Sequence, residues 1–185
     1  MKKLATLFQD SYRELRKVGT VTTMAMFAAI GIVLGSLTIQ IGDFIKIGFS
    51  TIANQFVYYL FGPAVGCFYG GALDILKYAV KPTGAFFPGW TFNAMAAGVL
   101  YGLFFYKKKL SLVRVLAAEF TVCVLCNMIL GTLWLDMMYG KGFFVLLPMR
   151  VIKNLAMWPV NSFLFYTMTF ALERTGVFRL IHSFR

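Results

Sequence analysis

The chain has 185 residues, of which 59% are hydrophobic and only 14% charged, with a mean hydropathy of +0.75. Soluble domains carry roughly 25% charged residues to clothe their surface, so a water-soluble fold is excluded. The formal net charge of +11 would direct a soluble chain toward nucleic acid, but its cations stand at the ends of apolar runs, and no nucleic-acid partner is expected.

In chain order, Leu4, Leu7, Phe8, Tyr12 and Leu15 recur at helical spacing among Lys, Arg, Asp and Glu. That pattern predicts a short amphipathic helix within residues 1–17, lying on the membrane surface. Six apolar runs follow, at about 18–37, 47–61, 64–80, 88–106, 112–135 and 150–172, each near the roughly 20 residues that cross a bilayer as a helix. The second is short and stops at Gly62-Pro63, which a helix cannot pass without a break. Gly42 and Asp43 mark one outer turn and Lys81-Pro82-Thr83-Gly84 a second. The fold class expected is therefore an all-α membrane protein, a compact bundle of six transmembrane helices forming a single domain.

The cations orient it. Lys2, Lys3, Arg13, Arg16 and Lys17 precede the first run, Lys107, Lys108, Lys109 and Arg114 separate the fourth from the fifth, and Arg174, Arg179 and Arg185 close the chain. An even number of spans puts these clusters on one side, which the positive-inside rule makes the cytoplasm. The expectation is a multi-pass cell-membrane protein with both termini cytoplasmic. Five further apolar runs argue against reading the first as a cleaved signal.

Catalytic chemistry has no candidate. No P-loop sequence is present, and His182, the one histidine, lies in the basic tail. Cys67, Cys123 and Cys126 sit inside apolar runs, where Cys behaves as a small hydrophobe. The C-x-x-C of Cys123 and Cys126 lacks a second ligand pair, so neither a metal site nor a cofactor of the chain's own is expected.

Polar side chains at membrane depth are costly, and they usually face a cavity or a partner. Asp74, Lys77 and Tyr78 share one face of the third span, either as an ion pair holding the bundle or as pocket lining. Arg150, Asn154, Met157 and Asn161 form a stripe about 16 Å long on the sixth span, with Lys153 beside its outer end. Asn54 and Gln55, Asn93 and Asn127 add amides on the second, fourth and fifth spans. Each amide alone could be interhelical glue; together, with cations at the outer rim, they fit a pocket better. Phe86, Phe87 and Trp90 cluster where an outer loop enters the fourth span, as an interfacial anchor or as a lid over a planar ligand. Small residues recur at four-residue spacing: Ala25 and Ala29, Gly31 and Gly35, then Gly62, Gly66 and Gly70, then Ala94, Gly98 and Gly102. These ridges serve packing within the chain or docking of another membrane subunit.

The Ala25-x-x-x-Ala29 ridge, the run Phe61-Gly62-Pro63-Ala64-Val65-Gly66 leading to Gly70, Gly71 and Asp74, and the Gly102-Leu103 pair before the lysines resemble the S components of energy-coupling factor (ECF) transporters. The similarity covers nearly the whole chain. Pro82-Thr83-Gly84-Ala85-Phe86-Phe87-Pro88-Gly89-Trp90 and Leu147-Pro148-Met149-Arg150-Val151-Ile152-Lys153-Asn154 resemble the folate-specific members. The resemblance implies a subunit that captures folate from outside and docks through Ala25 and Ala29 on a membrane coupling subunit. Two cytoplasmic ATPase subunits, which use the ATP, would then drive release inward. On that basis Asp74 would accept from the pterin, and Asn54, Asn93, Asn127, Asn154 and Asn161 would supply hydrogen bonds around it. Phe86, Phe87, Trp90 and Tyr78 would cover the aromatic part, while Lys46, Lys77, Arg150 and Lys153 would meet the glutamate carboxylates. Riboflavin and thiamine are the alternative vitamins; a self-sufficient carrier and a structural membrane protein are the alternatives outside the family.

Overall fold

The computed structural model describes residues 2–36, 38–41, 45–48, 50–80, 86–108, 110–140 and 142–175. The expected turn at Gly42 and Asp43, the loop Lys81-Pro82-Thr83-Gly84 with Ala85, Lys109, and the tail bearing Arg179, His182 and Arg185 lie outside the described residues.

Helix α1 (Lys2–Glu14) precedes α2 (Val18–Ser36), and a short antiparallel hairpin follows, β1 (Thr38–Ile41) with β2 (Ile45–Gly48). Then come α3 (Ser50–Phe61), α4 (Pro63–Val80) and α5 (Pro88–Phe105). Helix α6 (Leu112–Val122) continues through a π-helical segment, Cys123–Leu130, into α7 (Gly131–Tyr139), and α8 (Phe143–Arg174) closes the described chain. The hairpin is a short addition to an otherwise all-helical chain. Thr38-Ile39-Gln40-Ile41 and Ile45-Lys46-Ile47 place a β-branched residue at every second position, and such residues suit a pleated strand. Ile47, where the second span was expected to begin, therefore lies in β2, and the helix starts at Ser50.

Among the described residues, three helical stretches are long and apolar enough to cross a membrane by length and composition: Val18–Gly35, Leu112–Tyr139 and Leu147–Arg174. Helices α4 and α5, of 18 residues each, measure about 27 Å, and α3 with its 12 about 18 Å. Helix α8 starts well before Arg150, because the apolar run from Phe143 carries helix through Pro148; Pro159 also lies inside it, and each proline removes one backbone donor. Gly140, in the left-handed region at φ 61°, stops α7.

The centre of the bundle is the contact of α4 with α5. A Cβ added at Gly66 would lie 2.5 Å from the carbonyl oxygen of Gly98, and one at Gly70 2.5 Å from that of Ala94. One at Gly98 would collide with the Gly66 carbonyl, and one at Gly102 would sit 2.5 Å from Pro63 Cα. These two ridges are thus spent on packing within the chain, backbone on backbone. Gly31 packs against the Asn54 side chain of α3, 3.3 Å from a Cβ added there, while the exposed Gly35 makes only ordinary contact with the Ser50 side chain. Ala25 and Ala29 lie on the exposed side of α2 with Val21, Met26, Ile30 and Val33.

The α3–α4 turn consists of Gly62 alone, at φ +87°, with Pro63 next as the first residue of α4, where its missing N–H is lost to no partner. Its cap comes from α1. The buried Ser11 hydroxyl donates to the Phe61 carbonyl at 2.7 Å and accepts from the amides of Ala64 at 3.0 Å and Val65 at 3.1 Å. Helix α1 is thereby fixed to the end of the bundle that carries the α3–α4 turn.

Two predictions follow from these contacts. Gly98→Ala is expected to destabilise the chain by about 1–3 kcal/mol, since overpacking outweighs the better helix propensity of Ala. Ser11→Ala is expected to cost about 0.5–2 kcal/mol as a lost cap. Thermal unfolding of the detergent-purified variants measures both, and a Gly98→Ala midpoint at or above the parent's would contradict the backbone contact.

Candidate functional site

Polar residues within the bundle fall into two groups. In the inner group the buried acid is paired on both of its oxygens. The Gln55 side-chain amide donates to Glu119 Oε1, and the Tyr101 hydroxyl donates to Glu119 Oε2 at 2.9 Å. All three are buried, and Tyr58 stacks on Tyr101 with centroids 5.9 Å apart and planes 9° apart. Glu119 lies about two turns into α6, so the network occupies the end of the bundle nearest the lysines. Sequence reading passed over this acid, although an ionisable residue inside an apolar run was itself the signal. Its partners are 64 and 18 positions away, and no local spacing announces them.

The outer group is open. On α4 Asp74 accepts from the Thr91 hydroxyl of α5 at 2.8 Å, and Lys77 donates to Ser50 of α3 at 2.5 Å. Among the described residues no salt bridge joins Asp74 and Lys77, so the ion-pair reading of that face does not hold. The Tyr78 ring lies 5.1 Å from Phe86, which is exposed, and Phe87 packs 5.7 Å from Trp134 of α7. Trp90 lies beneath the Arg150 guanidinium, 5.9 Å from its ring centroid, a cation–π arrangement.

Arg150 is held from several sides. Its Nη1 donates to the Asn127 carbonyl at 2.9 Å, in the π-helical segment. A Cβ at Gly131 would sit 2.5 Å from the same nitrogen, so a glycine at that point makes room for the guanidinium. The Asn127 side chain itself is exposed. Arg150, Asn154 and Asn161 are half-buried and Met157 is buried, so the expected stripe of α8 faces inward, while Lys153 is exposed. Lys46 lies in β2, paired in register with Gln40; its side chain is outside the described residues.

Several buried polar atoms have no hydrogen-bond partner among the described residues: Asn54 Oδ1, Tyr69 OH, Asn93 Oδ1, Thr132 Oγ1 and Trp134 Nε1, with Gln55 Oε1 of the inner network. Leaving such a group unpaired costs about 1–3 kcal/mol. Asn93, Thr132 and Trp134 stand within a turn of Trp90 and Gly131, and hence of Arg150. Together they offer aromatic faces, a fixed guanidinium, and both donors and acceptors, a set complementary to a planar ligand with a polar edge and an anionic end. Thr91, Thr132, Trp134 and Tyr69 were not singled out from the sequence, because hydroxyls and aromatics in apolar runs are commonplace there. Among the described residues no cluster of His, Cys, Asp and Glu could hold a metal ion.

A model of the family described as "ECF transporter, substrate-specific component" matches residues 19–169. The chain belongs to this family. Among curated relatives, this S component is 34% identical over 171 residues to the "Folate transporter FolT" of Clostridium novyi (strain NT), covering 92% of this chain and 99% of that protein. It is 32% identical over 144 residues to the protein of the same name from Leuconostoc mesenteroides subsp. mesenteroides, covering 75% and 77%. Among solved structures it is similar to the one described as "Crystal structure of FolT bound with folic acid", with a TM-score of 0.71 and 32% identity over 80% of this chain and 90% of that one.

The packing of Arg150 on this S component makes Gly131 a sensitive position. Gly131→Ala is expected to displace the guanidinium and to weaken anionic-ligand binding about tenfold, the equivalent of one charge-assisted hydrogen bond. Titration read beside the thermal midpoint checks this: affinity should fall while the midpoint holds, and unchanged affinity would place the ligand away from Arg150.

Proposed function

We propose that this S component is the folate-binding subunit of an ATP-driven uptake transporter, capturing folate on the outer side of the cell membrane. The observation that carries the reading is the likeness to a FolT bound with folic acid, at 32% identity over 90% of that chain. The open polar group supports it chemically. Folate presents a pterin that donates and accepts hydrogen bonds, an aromatic linker and a glutamate with two carboxylates. Asp74, beside Thr91, suits the pterin's N–H groups as a charge-assisted acceptor. Asn54 and Asn93, with buried oxygens free, suit the remaining edge, with Asn127, Asn154 and Asn161 as further amides. Phe86, Phe87, Trp90 and Tyr78 suit the aromatic middle. Arg150, Lys77, Lys153 and Lys46 suit the carboxylates nearer the mouth.

The membrane arrangement we propose has six crossings, formed by α2, α3, α4, α5, the continuous rod Leu112–Tyr139, and α8, with both termini in the cytoplasm. The distribution of cations supports it: α1, the α1–α2 turn and the α5–α6 turn carry Arg13, Arg16, Lys17, Lys107 and Lys108 at one end. Helix α3 starts low in the bilayer, and the β hairpin fills the sequence above it.

Docking on a membrane coupling subunit, with two cytoplasmic ATPases driving release, is the role the family membership supports. Ala25 and Ala29, exposed on α2, are the small residues on which a partner helix would settle. No ATP site is proposed in this chain.

Isothermal titration of the purified chain tests the ligand, with riboflavin and thiamine as controls. Saturable one-to-one folate heat is expected, and heat with another vitamin alone would replace folate as the ligand. Asp74→Asn and Arg150→Ala are each expected to weaken folate at least about tenfold, each losing a charged hydrogen-bonding group; parental affinity in both would dispose of the pocket. Ala25→Trp/Ala29→Trp is expected to keep folate binding and to lose co-purification with the coupling subunit, and retained co-purification would move the docking face elsewhere.

A further inference from the structure

A cavity lies at the end of the molecule away from Arg150, among α1, the end of α3 and the turn after α5. Its volume is about 430 Å³, and its charged lining is Arg13, Lys17, Lys107 and Lys108 against Asp10 and Glu14. Both acids are already committed. Lys107 is bound to Asp10 at 2.6 Å and Lys17 to Glu14 at 3.1 Å, and the ammonium of Lys107 holds the Asp10 carboxyl below its ordinary range. Lys108 donates to the Leu103 carbonyl at 2.7 Å, leaving its other N–H groups directed elsewhere. Among the described residues the Arg13 side chain makes no hydrogen bond or ion pair. The cavity therefore carries an excess of two positive charges, the four cations less the two acids, and a guanidinium that acts on Asp10 only through its charge.

Its floor is Leu60 and Tyr106, at the apolar ends of the helices. Its height follows from the chain: Lys17 immediately precedes α2, and Lys107 and Lys108 fall between the end of α5 at Phe105 and the start of α6 at Leu112. In the membrane arrangement proposed above, that is the level of the phospholipid headgroups, and Phe8 and Tyr12 of α1 remain exposed at the same end. We propose that this cavity binds a single phosphate group, with Arg13 as its main ligand and Lys108 as the second. The group is carried by an anionic phospholipid of the inner leaflet or, as the other source of the same chemistry, by a soluble phosphate. Guanidinium offers paired donors that match phosphate oxygens, and basic segments next to membrane spans gather anionic lipid. The site is separate from the folate pocket and does not rest on it.

The test is native mass spectrometry of the full chain released from nanodiscs of equimolar phosphatidylcholine and phosphatidylglycerol. Arg13→Gln/Lys108→Gln would be compared with Arg16→Gln/Arg174→Gln, which removes the same charge outside the cavity; size-exclusion profiles confirm that both fold. The parent and the control pair are expected to retain one phosphatidylglycerol, and the cavity pair to retain at least tenfold less. In a parallel arm inorganic phosphate is titrated into the detergent-solubilised chain. Saturable binding that depends on Arg13, without lipid retention, would assign the site to soluble phosphate. Equal retention by both pairs, with no Arg13-dependent phosphate binding, would overturn the proposal.

Discussion

The rest of the molecule depends on how closely the backbones of α4 and α5 approach. In an apolar medium no hydrophobic force draws two helices together, so the gain must come from dispersion contact and from carbonyl and Cα groups in register. Side chains at Gly66, Gly70, Gly98 or Gly102 would hold the axes apart. With the axes together, Tyr101 and Tyr58 stack at the inner half and Thr91 reaches Asp74 at the outer half. The turn before α4 is compressed as well, because Tyr106 packs over Gly62 while Ser11 caps the amides beyond it. One contact thus sets the geometry of both ends.

The same medium explains why the polar residues sort into two groups. A buried acid without partners is a heavy cost, and Glu119 meets it by taking one donor from Gln55 and one from Tyr101. A network of that kind closes the inner half and gives it one arrangement. The outer half has donors and acceptors of similar strength, yet among the described residues Asn54, Asn93, Thr132 and Trp134 each leave a buried atom unpaired. Packing could have satisfied them as it satisfied Glu119. Asn93, Thr132 and Trp134 stand close to the guanidinium held by Asn127 and Trp90, where the proposed ligand would meet them.

How much of this was legible in the sequence depended on distance along the chain. Apolar runs announce helices, because a span needs about 20 such residues whatever surrounds them. The inward stripe of Arg150, Asn154, Met157 and Asn161 was readable because helical period alone puts them on one face. The hairpin was passed over, since Ile39, Ile41, Ile45 and Ile47 read equally well as the ends of two apolar runs. Whether Asp74 would pair with Lys77, one turn away, or with Thr91 on another helix is decided by the approach of α4 to α5. Sequence spacing carries no trace of that choice. Gly131 and the π-helical segment are of the same kind: only the position of Arg150, a helix away, explains them.

Helix α2 shows how one element can serve two surfaces without conflict. Gly31 packs against Asn54 at the outer half of the bundle, next to the group that lines the open site. Ala25 and Ala29 lie nearer its inner end and on its other side, with Val21, Met26, Ile30 and Val33. A partner helix settling on the alanines would touch a face that makes no direct contact with the open group, so docking and capture need not compete for side chains. It would touch the same rigid helix, however, and any tilt of α2 would shift Gly31 against Asn54.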